Sequence, residues 1–398
     1  MSLAHGHPYL AIPGPSVIPD AVQRAMHRAS PNIYAGELTE MVPGIVEDLK
    51  RIAGTSAHAA IFIANGHGIW EAALANILSP GDKLLFPATG RFAHGWSEVA
   101  TRLGAEVEML DFGKQSPIDP DRVSEVLAAD TEHRIKALPV VYVDTSTGIR
   151  NDIAALRKVL DDLGHPALLM ADCIASLACD PFEMDAWGVD VTIAACQKGL
   201  MTPPGIGFVF YNDKADRARE TAKFVTHYWD WRTRTDPEAF YMYFTGTAPT
   251  HHLYGLRAAL DMIHGEGIEN VIGRHETLAR ALWSAFDAWG AGGPMQLNVA
   301  DPAYRSHAVT SAKLGEDRAD RLRAWCEHKA GVTLGIGIGM AEPGTYAAAG
   351  YFRVGHMGHI NAHMMLGVLG VIQAGMTALD IPFGPGALDA AAAICAEA

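Results

Sequence analysis

The sequence predicts an α/β fold in which a mostly parallel central sheet is flanked by helices. Between positions 57 and 211, short apolar runs alternate with stretches of helical periodicity, a pattern typical of parallel strands joined by helices. The length of 398 residues, of which 49% are hydrophobic, exceeds the usual size of one domain. We therefore expect a large α/β domain and a second, smaller one.

The individual elements follow from the same patterns. Apolar runs predict buried strands at 60–64, 83–87, 137–143, 167–171, 189–195 and 207–211. Helical periodicity predicts helices at 67–78, 94–103, 120–129 and 153–163, with glycine caps at 104 and 164. Ligands of open α/β sheets bind beyond the carboxyl ends of the strands, so polar residues in those loops are the first candidates for chemistry.

The second half of the sequence predicts a domain junction. Helical patterns at 251–264 and 268–289 are separated by Gly265 and Gly267, and shorter strands and helices follow. We expect an N-terminal arm at 1–17, a large domain at 18–264 and a smaller C-terminal α/β domain at 265–398.

The composition argues against several classes of partner. The formal net charge is -14 and no run of Lys or Arg is present, so nucleic acid is not an expected ligand. No apolar run approaches the roughly 20 residues of a membrane span. The five cysteines form no Cys-x-x-Cys pair, which favours reduced thiols and a cytoplasmic protein. His356, His359 and His363 lack a His-Glu-x-x-His motif, and we expect no metal site.

Lys198 is the first candidate for chemistry. It follows the predicted strand 189–195 and precedes a rigid Pro-Pro-Gly at 203–205. Near the end of a buried sheet, an amine loses its proton more readily and can form a Schiff base with a carbonyl group. The alternative is a surface lysine in a hairpin.

Asp172 stands at the end of the predicted strand 167–171, where an unpaired carboxylate would be costly. A cationic partner, such as the protonated ring nitrogen of a ligand, would remove that cost. Alone, Asp172 could equally cap the N-terminus of a helix.

Two further loops carry polar groups. Asn-Gly-His-Gly at 65–68 joins a strand to a helix, and the free N–H groups of a helix N-terminus bind phosphate. Thr-Ser-Thr at 145–147 ends another strand in hydroxyl groups that could donate to a ligand. A common glycine turn and a cluster of helix caps are the respective alternatives.

Taken in order, these segments resemble the class V aminotransferases of pyridoxal-5'-phosphate (PLP) fold type I, and the resemblance covers nearly the whole chain. Its nearest similarity is to serine-glyoxylate and alanine-glyoxylate aminotransferases. The motifs that carry it are Ile-Pro-Gly-Pro at 12–15, Asn-Gly-His at 65–67, Ser-Thr-Gly at 146–148, Asp-Cys-Ile-Ala-Ser at 172–176, Gln-Lys at 197–198 with Pro-Pro-Gly at 203–205, and Phe-Arg-Val-Gly-His-Met-Gly at 352–358.

The resemblance implies roles for individual residues. Two would be catalytic: Lys198, which forms the Schiff base with PLP, and Asp172, which pairs with the pyridine nitrogen. Further cofactor contacts would come from Asn65, Gly66, His67, Phe92, Ser146, Ile174, Gln197 and Thr247. The substrate would be bound by Arg353, through its α-carboxylate, and by Gly14 and Ser146.

Two departures from the family pattern accompany these roles. Phe92 stands where alanine-glyoxylate relatives often have a stacking tryptophan. Phe244 stands where such relatives have a phosphate-binding tyrosine, unless Tyr243 substitutes for it. In the family, the segment that contains Thr247 reaches the phosphate of the neighbouring subunit, which implies a homodimer with shared active sites.

The expected reaction is transamination between a small amino acid (serine, alanine or aspartate) and a 2-oxo acid such as glyoxylate or pyruvate. A PLP-dependent lyase or desulfurase is an alternative, although desulfurases carry His where this chain has Gln197. A phosphonate or pyridoxamine aminotransferase is another. A PLP-binding regulator without turnover is a third, which the complete catalytic set disfavours.

Overall fold

Two large β-sheets and one two-stranded sheet organise the protein, which a computed structural model describes from residue 2 to residue 397. The strands are β1 Tyr9–Ala11, β2 His58–Phe62, β3 Lys83–Ala88, β4 Glu106–Asp111, β5 Ile135–Val141, β6 Val143–Asp144, β7 Ile149–Arg150, β8 Leu168–Asp172, β9 Val191–Ala195, β10 Gly207–Tyr211, β11 Gln296–Leu297, β12 Val309–Lys313, β13 Val332–Ile336 and β14 Tyr351–Gly355.

The helices connect and cover these strands. In chain order they are α1 Asp20–Met26, α2 Glu37–Ile52, α3 Gly66–Ala75, α4 Arg91–Leu103, α5 Pro120–Ala129, α6 Ile153–Asp162, α7 Asp213–Arg219, α8 Arg232–Thr235, α9 Thr250–Glu266, α10 Ile268–Gly290, α11 Arg318–Ala330, α12 Ala362–Ala378 and α13 Ala387–Ala396. In the part of the chain that the structure describes, no helix is both long and apolar enough to cross a membrane.

The larger sheet confirms the predicted fold class. Its seven strands lie in the order β2, β10, β9, β8, β5, β3, β4, and only β10 runs antiparallel to its neighbours. Strands β2, β3, β5, β8 and β9 therefore point the same way, and the loops that follow them meet at one edge. The loops at 65–68 and 145–147, together with Asp172 and Lys198, all lie at that edge.

Several elements differ from the prediction: helices α1, α2 and α7 were not predicted, and strands β2 and β5 begin two residues earlier than expected. Strand β4 was not predicted, because it lies at the edge of the sheet and its charged residues interrupt any apolar run. Helix α4 begins at Arg91 rather than at 94. Its first N–H groups are capped from a distant loop, since Asp144 accepts from the N–H of Phe92 at 2.9 Å and Ser146 from that of Arg91 at 3.1 Å.

The smaller sheet combines both ends of the chain. Its order is β1, β13, β14, β12, β11, and β1 pairs parallel with β13. The predicted arm at 1–17 thus contributes a strand to the same sheet as residues of the predicted small domain. The boundaries 18–264 and 265–398 stay a prediction. A separate apolar core, which includes Phe286, Trp289 and Phe352, underlies this sheet.

Candidate active site

A cavity of about 250 Å³ lies at the carboxyl edge of the larger sheet. It collects side chains from loops that are far apart in sequence, as the parallel strands require. Most of the predicted site residues line it, namely Gly14, Asn65, Gly66, His67, Phe92, Asp172, Ile174, Gln197 and Lys198. Trp70, which the sequence did not indicate, also lines it, as do Pro15, Thr145 and Pro204 from segments that the sequence singled out.

Lys198 follows β9 and extends its amine into this cavity. Its Nζ atom donates to the main-chain carbonyl of Pro13. A Cβ atom at Gly14 would lie 2.6 Å from the same Nζ, so the amine occupies space that only glycine leaves open there. Burial, and secondly the charge of Arg353, lower the pKa of Lys198 from 10.5 to about 8. About a tenth of the amine is therefore uncharged at pH 7, far more than for a lysine with the ordinary pKa.

Asp172 is the last residue of β8 and is almost completely buried. Its carboxylate accepts from the indole Nε1 of Trp70 at 2.7 Å and from the N–H of Ile174 at 2.8 Å. Burial raises the pKa of Asp172 to about 6 in spite of these bonds. Within residues 2–397, no cationic side chain lies within 4 Å of it. Turns rather than a helix follow Asp172, so the helix-cap alternative does not apply.

Helix α3 presents its N-terminus to the same cavity. Asn65 caps this helix, since its Oδ1 accepts from the N–H of Gly68 at 3.3 Å. The N–H groups of Gly66 and His67 have no acceptor among the described residues. The side-chain Oε1 of Gln197 lies nearby in the lining, buried and without a hydrogen-bond partner in residues 2–397. These groups have unused hydrogen-bonding capacity, and the free N–H groups of a helix N-terminus are suited to bind an anion.

Ser146 does not line the cavity, although the sequence predicts it as a ligand contact. It is fully buried; its hydroxyl donates to Asp144 at 2.5 Å and accepts from the N–H of Arg91. The preceding residue, Thr145, lines the cavity instead, and its hydroxyl has no hydrogen-bond partner in the described chain. The sequence placed three hydroxyl residues together, and backbone geometry decides which of them faces the ligand.

Arg353 lies on β14, outside the lining of the cavity but close enough to lower the pKa of Lys198. Its Nε donates to the carbonyl of Ile336 at 2.6 Å and its Nη1 to that of Thr145 at 2.7 Å. Among residues 2–397, no carboxylate lies within 4 Å of this guanidinium group. In the part of the chain that the structure describes, Arg353 is therefore not held by an ion pair.

The remaining predicted contacts divide into two groups. Phe92 and Ile174 lie in the wall of the cavity, and the Phe92 ring packs edge-on against Trp70 with centroids 6.3 Å apart. Thr247, in contrast, is exposed and lies outside this cavity. Phe244 is buried and packs against Phe240 at a centroid distance of 5.8 Å.

The histidines at 356, 359 and 363 do not converge. His356 is buried and bonds to Thr310 and to the carbonyl of His307. In the described chain, no group of three or more His, Cys, Asp or Glu side chains is arranged to hold a metal ion.

The geometry thus combines a depressed lysine pKa, a buried carboxylate without a cation and an anion-compatible helix N-terminus in one cavity. A family profile described as aminotransferase class V matches residues 15–355. The chain belongs to this family. Membership means that the protein is an enzyme that transfers amino groups, and the family implies PLP as its cofactor.

Curated relatives of this class V aminotransferase match it over almost its full length. It is 35% identical to a serine-glyoxylate aminotransferase of Methylorubrum extorquens, with 97% of this chain and 95% of the relative covered. It is 33% identical to an L-aspartate-glyoxylate aminotransferase of Paracoccus denitrificans, with 96% and 94% covered.

Solved structures of aminotransferases share the fold of this family member. A pyridoxamine-pyruvate aminotransferase from Mesorhizobium loti superposes with a TM-score of 0.87 at 22% identity, with 99% of both chains covered. A ureidoglycine-glyoxylate aminotransferase from Bacillus subtilis superposes with a TM-score of 0.86 at 23% identity, again with 99% of both chains covered. At these identities the likeness concerns the fold.

The buried Lys198 amine leads to a stability prediction. Its pKa falls from 10.5 in the unfolded chain to about 8 in the fold, so folding is opposed by the buried charge below about pH 8. The cost disappears as the pH rises toward 10.5. Lys198→Met should therefore raise the free energy of unfolding of the PLP-free protein by about 2 kcal/mol at pH 7, after the lost bond to Pro13 is allowed for.

Urea unfolding of the PLP-free variants at several pH values measures this effect. The gain should shrink between about pH 8 and pH 10. Lys329→Met, at an exposed lysine of α11, is the control and should show no such gain. Equal or lower stability of Lys198→Met at pH 7 would contradict the assigned burial cost.

Proposed function

We propose that this enzyme transfers the amino group of a small amino acid, such as serine, alanine or aspartate, to a 2-oxo acid, with glyoxylate as the main acceptor. The observation that carries the proposal is that Lys198 and Asp172 line the same cavity. The choice of glyoxylate rests on relatives that are named for it.

The residues of the cavity fit PLP. The carboxylate of Asp172 lacks a cation, and the pyridinium group of the cofactor is one. The N–H groups of Gly66 and His67, together with Gln197, suit its phosphate, and Thr145 is placed to donate to the ring substituents. When bound, PLP supplies a carbonyl group that condenses with amines and a ring that accepts the electrons of the substrate's Cα–H bond.

Lys198 acts through its amine. The uncharged form, which burial favours, is the nucleophile that carries the cofactor. The Pro13 carbonyl accepts one of its hydrogens and so orients the lone pair. When it is not bonded to the cofactor, Nζ would accept the proton from the substrate Cα and would donate it to the carbon of the cofactor's carbonyl group.

Asp172 keeps the cofactor ring electron-poor. Without a cation its pKa is about 6, so a ring cation next to it stabilises the ionised form. The Trp70 indole holds the carboxylate in place from the side of α3. Trp70 is thus a positioning residue for Asp172 that the sequence did not indicate.

Arg353 binds the carboxylate that donor and acceptor have in common. Its contacts to two carbonyl groups fix the plane of the guanidinium group. No carboxylate of residues 2–397 lies within 4 Å of it, although the charge of the more distant Asp144 favours its protonated form. Because guanidinium binds carboxylate through two parallel bonds, one residue serves both half-reactions.

The enzyme acts as a homodimer with shared active sites in this proposal. Thr247 is exposed and outside the cavity of its own chain, as expected of a residue that serves a neighbouring subunit. Exposed apolar side chains, Ile63 beside the α3 N-terminus and Tyr241 near Thr247, supply surface for such a contact. Phe244 cannot supply the hydroxyl of the family's tyrosine, and Tyr243 is the neighbouring candidate.

No observation favours a lyase. The lysine is preceded by Gln197, and none of the five cysteines lines the cavity of the described chain. Four of them are buried in the protein interior.

A panel of donors and acceptors tests the proposal. Serine, alanine and aspartate are each combined with glyoxylate, pyruvate or 2-oxoglutarate, and the keto acids and amino acids formed are quantified. We expect glyoxylate to be converted to glycine, and Lys198→Ala to form no product. Release of pyruvate and ammonia from serine without any acceptor would instead indicate a lyase.

Replacement of Arg353 by lysine tests the substrate anchor. Lysine keeps the charge but cannot form the two parallel hydrogen bonds of a guanidinium group. The values of kcat/KM for amino acid and 2-oxo acid should therefore both fall by roughly 10- to 150-fold, which corresponds to about 1.5–3 kcal/mol of binding free energy. PLP binding, followed by its visible absorption, should persist.

Arg305→Lys is the matched control. Arg305 is equally buried and also donates to main-chain carbonyls, those of Val299 and Ala300, in the small domain. The Arg305→Lys variant should have a lower melting temperature and an unchanged KM. Unchanged kcat/KM in Arg353→Lys would return Arg353 to a structural role.

A further inference from the structure

Asp180 is a buried carboxylate that the proposed reaction does not use. It is 1% exposed, and both of its oxygens are bonded. Oδ2 accepts from the hydroxyl of Ser306 at 2.9 Å, and Oδ1 accepts from the N–H of His307 at 2.8 Å. Nη1 of Arg150 lies 3.5 Å from Oδ1. A buried carboxylate with this many partners holds its neighbours in fixed positions.

One side of this contact belongs to the turn that follows Asp172. Within that turn, Leu177 N–H donates to the Cys173 carbonyl at 2.9 Å, and Asp180 N–H to that of Ser176 at 2.8 Å. The carboxylate of Asp180 is therefore fixed relative to the catalytic edge of the larger sheet.

The other side belongs to the smaller sheet. Ser306 and His307 lead into β12, which pairs antiparallel with β14 so that Ser311 lies opposite Arg353. The carbonyl of Ala308 also accepts from the N–H of His356 at 2.9 Å, directly after β14. A shift of residues 306–308 would thus move the strand that carries Arg353.

We propose that Asp180 is a positioning residue for substrate binding: it fastens the start of β12 to the turn after Asp172 and so sets the distance between Arg353 and Lys198. The inference rests on the proposed role of Arg353. The guanidinium group reaches the catalytic edge through the Thr145 carbonyl. Other bonds also join the smaller sheet to this edge, among them that from the Ser306 N–H to the Gly148 carbonyl at 3.1 Å, and Asp180 adds a charged tether at the start of β12. Loss of that tether leaves the cofactor site intact but misplaces the substrate anchor.

Asp180→Asn tests the proposal, because asparagine keeps the size but removes the charge and one acceptor. We expect KM for serine and for glyoxylate to rise about tenfold each, as for the loss of one charged hydrogen bond. The value of kcat should change less than about twofold, and the affinity for PLP and its visible spectrum should stay as in the wild type. Ser306→Ala removes one of the bonds to Asp180 and also the acceptor of the Ala308 N–H, so it should raise both KM values as well.

Asp190→Asn is the matched control. Asp190 is also buried, and it accepts from the Leu169 N–H at 2.8 Å and from Asn212 at 2.9 Å, but it precedes β9 at the opposite edge of the sheet. Its replacement should lower the melting temperature with KM unchanged. If Asp180→Asn behaves in the same way, or if kcat and PLP affinity fall together with its melting temperature, the positioning role is wrong.

A double variant separates this inference from the proposed function. In an Arg353→Lys background, Asp180→Asn should raise KM by much less than tenfold, since both changes act through one contact. Fully additive effects would overturn the positioning role alone. If Arg353→Lys itself leaves KM unchanged, the assignment of the substrate anchor fails, and the role of Asp180 fails with it.

Discussion

Two ionisable groups of opposite sign are buried in one cavity without being paired to each other. Lys198 and Asp172 both lie at the carboxyl edge of the larger sheet, and each has its pKa moved toward the uncharged form by burial. The charged form of each group is less stable in this cavity than in water, so burial of the two groups lowers the stability of the fold. A ligand with a carbonyl group and a ring cation removes that cost on both sides. In the proposed mechanism, the same burial therefore favours both the binding of PLP and the uncharged, nucleophilic form of Lys198.

Asp144 connects several parts of this arrangement. It accepts from the Ser146 hydroxyl and from the N–H of Phe92, and thereby caps α4 and fixes the loop after β5. Burial raises the pKa of Asp144, and its charge adds to the effect of burial on Asp172. The same loop presents Thr145 to the cavity and gives its carbonyl to Arg353. One turn thus contacts both the lining of the cavity and Arg353, the proposed substrate anchor.

Local signals in the sequence predicted much of the fold. Helix α5 and strand β10 have the predicted bounds, because Asp119 and Pro120 mark the helix start and an unbroken apolar run marks the strand. The start of α4 was misplaced because its caps come from residues about fifty positions away. Strand β4 was missed because an edge strand need not be apolar.

For the candidate site, too, local signals were predictable from the sequence and contacts between distant residues were not. The sequence indicated the residues that follow strand ends, and the fold gathers most of them around one cavity. It could not indicate Trp70, whose role depends on a contact between α3 and β8, or distinguish Thr145 from Ser146, which differ only in the direction of their side chains. Arg353 lies on the smaller sheet and contacts the loop after β5 only because the fold brings the two sheets together. Family resemblance rather than a local pattern therefore pointed to it.

Borohydride reduction of the PLP-loaded enzyme, followed by peptide mapping, tests the central assignment most directly. Reduction fixes the cofactor covalently to the amine that carries it. We expect the label on a single peptide, at Lys198, and no label in Lys198→Ala. Label on any other lysine, or none in an enzyme that shows the visible band of bound cofactor, would contradict the assignment of Lys198 as the residue that carries PLP.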